Sequence, residues 1–182
     1  MNGPTLTTER LTLRRWRDPD RAAFHALNAD PETMATIGPP MSRAESDAFM
    51  NRIGQHFDDH GFGLWCVDLD GEPIGFTGLA RPWFRDGIEI GWRLRSPFWG
   101  HGYATEAARQ VLRFAFDDLG LDEVISFTAV TNIKSRAVME RIGLQHDPDA
   151  DFDHPSLPEG DPLRPHVLYR IAAPDWAVSA HR

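Results

Sequence analysis

Apolar residues recur along this chain with two different periods, and the order in which the periods alternate predicts its elements. Residues 10–16 set Leu11 and Leu13 between Thr12 and Arg14, the period of two expected of a strand with one covered face. Asp18 and Pro19 then give a helix-start signal as N-cap and first helical residue. Ala23, Phe24 and Leu27 share one helical face, and Asp30 with Pro31 ends the helix. Residues 37–40, Ile-Gly-Pro-Pro, cannot continue a helix. Ser42 and Glu45 then form a capping-box signature ahead of Phe49, Ile53 and Phe57. Two helices are therefore expected before the main sheet.

Residues 62–69 read as a strand, Asp70 and Gly71 as a hairpin turn, and residues 73–79 as the returning strand. A third strand, residues 88–94, delivers the chain into a glycine-containing turn. Beyond the turn Ala104, Ala108, Val111, Leu112, Ala115 and Leu119 line one side of a helix ending near Gly120. Residues 123–130 predict another strand. Thr131 or Asn132 caps a short helix carrying Ala137, Val138 and Ile142 and closed by Gly143, and residues 166–171 predict the last strand. Between them, residues 147–165 hold five prolines and six acidic residues without a helical period, which predicts an irregular loop. The element order gives an α/β or α+β sandwich on a mixed sheet.

Composition narrows the picture modestly. A chain of 182 residues with 41% apolar content is most simply one domain, with a core that needs no disulfide or metal. The single cysteine, Cys66, lies in an apolar-rich run and is expected in the core, compatible with a reducing compartment. No segment has the roughly 20 apolar residues of a membrane span, and the N-terminal residues lack the apolar centre of a signal peptide, so a cytoplasmic location is expected. A net charge of −8 argues against general nucleic-acid affinity and leaves room for a cationic acceptor such as a polyamine, an aminoglycoside or a basic protein terminus.

The chemistry centres on residues 96–108, SPFWGHGYATEAA. Gly100 and Gly102 let the backbone approach a ligand without Cβ atoms in the way, and the helix that follows begins with unpaired N–H groups at the positive end of its dipole. That combination suits a phosphate or pyrophosphate. The segment WGHGYATEA closely resembles the acyl-coenzyme A loop of the GNAT superfamily of N-acetyltransferases, especially the branch that acetylates ribosomal protein N-termini. The resemblance extends upstream through EIGWRLRSPF and downstream through TNIKSRAVMERIGL, about the C-terminal half of the chain. It departs at Trp99, where the broader superfamily usually has Arg or Gln.

The resemblance implies a mostly antiparallel sheet with helices on both faces and two parallel strands, here residues 88–94 and 123–130, that splay apart around the pantetheine arm of acetyl-CoA. It implies that the turn Trp99, Gly100, His101, Gly102, Tyr103, Ala104 and Thr105 meets the cofactor, with backbone N–H groups from Gly100 to Thr105 on the pyrophosphate. Main-chain groups near Leu94 would pair with pantetheine, and Asn132 would contact the arm. Ser135 matches a serine that some relatives place near the cofactor sulfur, and Glu89 lies near the place of a carboxylate that deprotonates the amine. Other readings stay open: Ser135 as a capping or exposed serine, Glu89 as an ion-pair partner of Arg14 or Arg93, His101 as an exposed loop residue, and Tyr103 as core packing. A homodimer is possible on the same ground.

Competing chemistries are weaker. Asp151, Asp153, His154 and His166 match no zinc spacing, so no metal is expected. A dinucleotide fingerprint would want a third glycine where Thr105 stands, early in the chain. The remaining alternative to an acetyl-CoA-dependent N-acetyltransferase is a non-catalytic domain of the same fold that binds an acyl-CoA or a partner.

Overall fold

A computed structural model describes residues 3–179. The chain runs β1 Leu6–Thr7, β2 Thr12–Arg14, α1 Arg21–Ala29, α2 Pro31–Met34, α3 Arg43–His60, β3 Leu64–Leu69, β4 Glu72–Ala80 and β5 Glu89–Leu94. It continues with α4 Tyr103–Arg113, β6 Glu123–Ala129, α5 Ile133–Arg141, β7 Gln145–His146, β8 Phe152–Asp153, β9 Pro165–Ala172 and α6 Ala173–Ser179. One sheet takes the strand order β1-β2-β3-β4-β5-β6-β9-β7, with β8 also on β9. Every pairing is antiparallel except β5 with β6.

The expected mixed architecture is present, with differences that have local causes. The first strand pairs only over Thr12–Arg14 and gains a short partner in β1. The first helix begins one turn late, because Asp18–Asp20 form a 3-10 turn instead of an α-helical start. Three helices, not two, precede the main hairpin: Asp30 ends α1 and then caps α2, its carboxylate accepting from the N–H groups of Glu32 and Thr33 with Pro31 at the first turn. The Ser42–Glu45 capping box opens α3, and Gly61 closes it at φ +76°. At the hairpin, Asp70 (φ +51°) and Gly71 (φ +90°) turn the chain, helped by the Asp68 carboxylate accepting from Gly71 N–H at 2.6 Å.

Both faces of the sheet are covered. Phe24 of α1 and Phe49 of α3 pack on Phe76 of β4, with ring centroids 6.2 and 5.9 Å away. On the opposite face α4 buries Ala107, Ala108, Val111 and Leu112 and runs into a π-helical turn, Phe114–Asp118, whose Phe114 meets Trp65 edge-on at 5.4 Å. Where β2 meets α1, Arg14 is buried between Asp20 and Asp68, at 2.7 and 2.8 Å. Burial alone would raise the Asp20 carboxyl, but hydrogen bonds from Arg14 and the Arg17 amide outweigh it and hold the carboxyl below its usual range. Cys66 is fully buried, and removal from water pushes its thiol up to about 12.

Candidate functional site

The glycine turn is built to leave α4 without a cap. Gly102 occupies the N-cap position at φ +82° and no side chain bonds the exposed amides, whereas Ser42 caps α3 and Asn132 caps α5. The N–H groups of Tyr103, Ala104 and Thr105 have no carbonyl one turn earlier to accept them. Gly100 is also left-handed, at φ +80°, and a Cβ placed there would meet nothing within 4 Å. The turn therefore projects amides into open space at the positive end of a helix, a geometry suited to an anion. Its flank carries a cation that the sequence did not reveal. Arg10 lies 3.5 Å from where a Gly102 Cβ would stand and its guanidinium covers the Tyr103 ring at 4.5 Å, held by Glu106 at 2.6 Å. His101 is exposed and stacks on Tyr103 at 5.6 Å, and Tyr103 itself packs partly against the core.

Strands β5 and β6 meet and then part. Glu89 and Ile125 face each other, Ile125 N–H donates to Ile88 O at 2.9 Å, and no further residue pair joins the two strands. Ser126 Oγ donates to Ile90 O at 2.8 Å, so a side chain replaces the next rung. Beyond it β5 follows β4 and β6 follows β9. The mouth of the opening lies between the glycine turn and α5. There Trp99 Nε1 donates to Leu94 O at 2.7 Å, and Lys134 Nζ sits over the Trp99 ring at 3.8 Å. The Leu94 carbonyl is thus already bonded within the protein. Asn132, buried, accepts from Ser135 N–H through Oδ1 and donates to Thr128 Oγ1 through Nδ2, which leaves one amide proton. Ser135 stands half-buried in the first turn of α5.

On the face away from α4, Glu89 opens β5, and its carboxylate makes no hydrogen bond or ion pair to any described residue. The pairings considered for it with Arg14 and Arg93 do not form: Arg14 is held by Asp20 and Asp68, and Arg93 donates to Asn28. Removal from water pushes the Glu89 carboxyl up to about 8, moderated by Arg85 nearby. Arg85 comes from the loop before β5, a segment with no periodic signal. It lies over the Phe152 ring at 4.2 Å with its Nη1 buried and unbonded, and burial lowers its pKa.

The acidic loop is ordered by its aromatic and charged residues. Phe152 of β8 clusters with Phe84, Phe127, His154 and His166, with centroids 5.5 to 6.2 Å away. Burial lowers the pKa of His154, with repulsion from His166 adding to it, and burial also lowers His166. Three of the loop's six carboxylates are paired: Asp147 with Arg170, Asp153 with Arg164, and Asp151 with His146 and the Leu168 amide. Asp151, Asp153, His154 and His166 do not converge, and among the described residues no group of three or more His, Cys, Asp or Glu side chains is placed to hold a metal. None of the described helices is long and apolar enough to cross a membrane.

The chain is similar to known acetyltransferases in sequence and fold. The family profile described as "Acetyltransferase (GNAT) domain" matches residues 10–145. The chain is 35% identical to the FsC-acetyl coenzyme A-N(2)-transacetylase of Aspergillus fumigatus, over 95% of this chain and 78% of that protein. It superposes on the crystal structure of an acetyltransferase from Agrobacterium tumefaciens with a TM-score of 0.79 at 33% identity, covering 94% of this chain and 95% of the other. It shares its fold with spermidine N-acetyltransferase from Vibrio cholerae, solved with CoA and spermine, at a TM-score of 0.73 and 20% identity, covering 92% and 98% of the two chains.

Proposed function

The chain belongs to the acetyltransferase (GNAT) family and is an acyl-CoA-dependent N-acetyltransferase, and from that premise we propose how its residues divide the transfer of an acetyl group from acetyl-CoA to a primary amine. The observation that carries the reading is the parting of β5 and β6 between an uncapped helix start on one side and an unpartnered carboxylate, Glu89, on the other.

The residues fit the cofactor. The amides from Gly100 to Thr105 receive the pyrophosphate, and the Arg10 guanidinium, paired with Glu106, stands at the rim as a hydrogen-bond donor. Strand β5 near Leu94 lines the pantetheine path; with the Leu94 carbonyl committed to Trp99, the neighbouring main-chain groups make that pairing. Asn132 has one amide proton left for the arm, and the Trp99–Lys134 contact frames the mouth. When bound, acetyl-CoA supplies a thioester carbonyl as electrophile. Glu89 takes a proton from the acceptor's ammonium, directly or through a water, and so presents a neutral amine. A carboxyl raised to about 8 is well matched to that task, since a base works best with its pKa near the working pH. The Ser135 hydroxyl hydrogen-bonds to the departing sulfur, which takes up the proton that the amine nitrogen loses as the amide forms. The acceptor is a protein N-terminus or a small-molecule amine.

Two measurements test the reading. Calorimetry with CoA should show binding that Gly102→Val removes. Thiol release from acetyl-CoA should depend on an added amine from a panel of peptides, polyamines and amino acids. Tight CoA binding without amine-dependent release across the panel would make the protein a binder and not a transferase.

A further inference from the structure

Two arginines drawn into the interior are treated in opposite ways. Arg14 is met by two carboxylates. Arg93, half-buried on β5, is met by none among the described residues. Its Nη1 donates to Asn28 Oδ1, its guanidinium lies over the Phe76 ring at 5.1 Å, and its Nε is buried without a hydrogen-bond partner. Asn28 is fully buried and donates through Nδ2 to Ser46 Oγ at 3.1 Å, which fixes the neutral amide oxygen toward Arg93. An aspartate at position 28 would have closed an ion pair, and a chain with 27 acidic residues against 19 basic ones has acid to spare. A guanidinium partly withdrawn from water without a counter-ion is costly, and burial lowers the Arg93 pKa to about 10.

The place of this charge indicates what answers it. Glu89, Gly91 and Arg93 alternate onto the same face of β5, with successive members about 6.6 Å apart along the strand. Gly91 keeps the interval clear: a Cβ there would meet Glu89 Oε1, at 3.7 Å, and no other described atom within 4 Å beyond its chain neighbours. The floor of the site thus carries a carboxylate at one end, a glycine gap in the middle and an uncompensated guanidinium at the other end.

We propose that Arg93 receives a carboxylate of the acceptor, so that the amine substrate is an amino acid or a short peptide whose carboxylate reaches Arg93 while its amine is at Glu89, and not a polyamine. The inference rests on the assignment of Glu89 as the group that meets the acceptor's amine. With the amine at Glu89 and the carboxylate at Arg93, the acceptor lies along β5. The planar guanidinium suits a carboxylate in geometry as well as charge. An acceptor lacking the carboxylate leaves Arg93 as unpaired as it is now, and such sites discriminate strongly because a buried polar group stays unsatisfied.

The experiment compares alanine, glutamate, ornithine and lysine with their α-amides and with their decarboxylated amines. Each is titrated by calorimetry into the protein saturated with CoA and assayed for thiol release with acetyl-CoA. At least one amino acid should bind about tenfold or more tighter than both its amide and its decarboxylated amine. Arg93→Met, which keeps a long apolar stem on Phe76, should bring that preference to within about twofold while CoA binding persists. Asn28→Asp keeps Arg93 but supplies an internal carboxylate, and should weaken the amino acid about tenfold while sparing the amide. Equal binding of acid and amide in the wild type, absence of binding by every amino acid, or a preference that survives both substitutions overturns the proposal. Carboxylate preference in the CoA complex without thiol release would support the Arg93 assignment while refuting catalysis through Glu89.

Discussion

The Ser126 hydroxyl donates to the Ile90 carbonyl across the two strands that frame the site, at 2.8 Å. It stands one step past the pairing of Glu89 with Ile125, where a main-chain bond would otherwise hold β5 and β6 together. A side-chain bond at this point ties the strands at their root while letting their backbones diverge. Ser126 is 2% exposed, so water cannot readily replace the hydroxyl once it is removed. Ser126→Ala should therefore destabilise the fold by about 1–3 kcal/mol, the cost of leaving a buried acceptor unsatisfied. Denaturant unfolding at constant m-value is the measurement, and unchanged stability would show that the strands part without this tie.

Gly102→Val tests the anion site. At φ +82° a β-branched residue is strained, at a cost of order 1–2 kcal/mol, but the built Cβ meets only Arg10, at 3.5 Å. The folded protein should survive while CoA affinity falls at least tenfold, because the new methyl groups occupy the approach to the helix amides. Retained affinity in a folded variant would place the phosphates elsewhere.

This site was legible in the sequence wherever one short stretch does the work by itself. The turn from Trp99 to Thr105 declares its backbone through two glycines, and Asn132 declares a helix start through its own side chain. Relationships between distant segments were not legible. Nothing local says that Arg93 would find Asn28, that Arg10 would lie beside Gly102, or that Arg85 would stack on Phe152. The short strands β7 and β8 escaped for a related reason: two residues carry no period, and both are strands because β9 offers them an edge. Charge counting at residues 147–165 does not say which carboxylates are paired; Arg170, Arg164 and His146 hold three of the six.

Glu89 makes a prediction with two separable readouts. As a base for an amine with a pKa near 10, its replacement in Glu89→Gln should lower the rate about 10² to 10⁴-fold near neutral pH. The second readout is stability. The folded carboxyl titrates at about 8 against 4.5 when exposed, so the folded state binds the extra proton between those values. Its contribution is fully present below pH 4.5 and is lost as pH rises through 8. Wild type should lose stability relative to Glu89→Gln across that window, by on the order of a few kcal/mol. A flat difference would mean that the carboxyl is well solvated.

The Arg14 cluster predicts the opposite pH trend. Asp20 is held below its ordinary 3.8, so its contribution is present above that value and is lost as pH falls through the lower folded pKa. Asp20→Asn should cost about 3–5 kcal/mol at neutral pH, since it removes one of two carboxylates from a buried guanidinium. The gap between variant and wild type should narrow in acid. Thermal unfolding from pH 3 to pH 7 would reveal a pH-independent gap if the pair contributes through packing alone.

Phe152 gives the loop of residues 147–165 a test that its carboxylates cannot. The ring packs on Phe127 of β6 and lies under the Arg85 guanidinium, and Arg85 is the cation that moderates Glu89. If Glu89 meets the acceptor's amine as proposed, the aromatic cluster fixes one side of the floor on which that amine sits. Phe152→Ala would free Arg85 from its stacking surface and open a gap beside Glu89, while Asp151 still anchors the loop through His146 and the Leu168 amide. The acceptor KM should rise several-fold, with the CoA dissociation constant within about twofold, because the glycine turn lies on the far side of the opening. Replacing residues 155–162, which leaves Phe152 and Asp151 in place, with a Gly/Ser linker of equal length should disturb the acceptor KM less. If the linker variant raises KM more than Phe152→Ala does, the loop tip and not its aromatic anchor forms the wall.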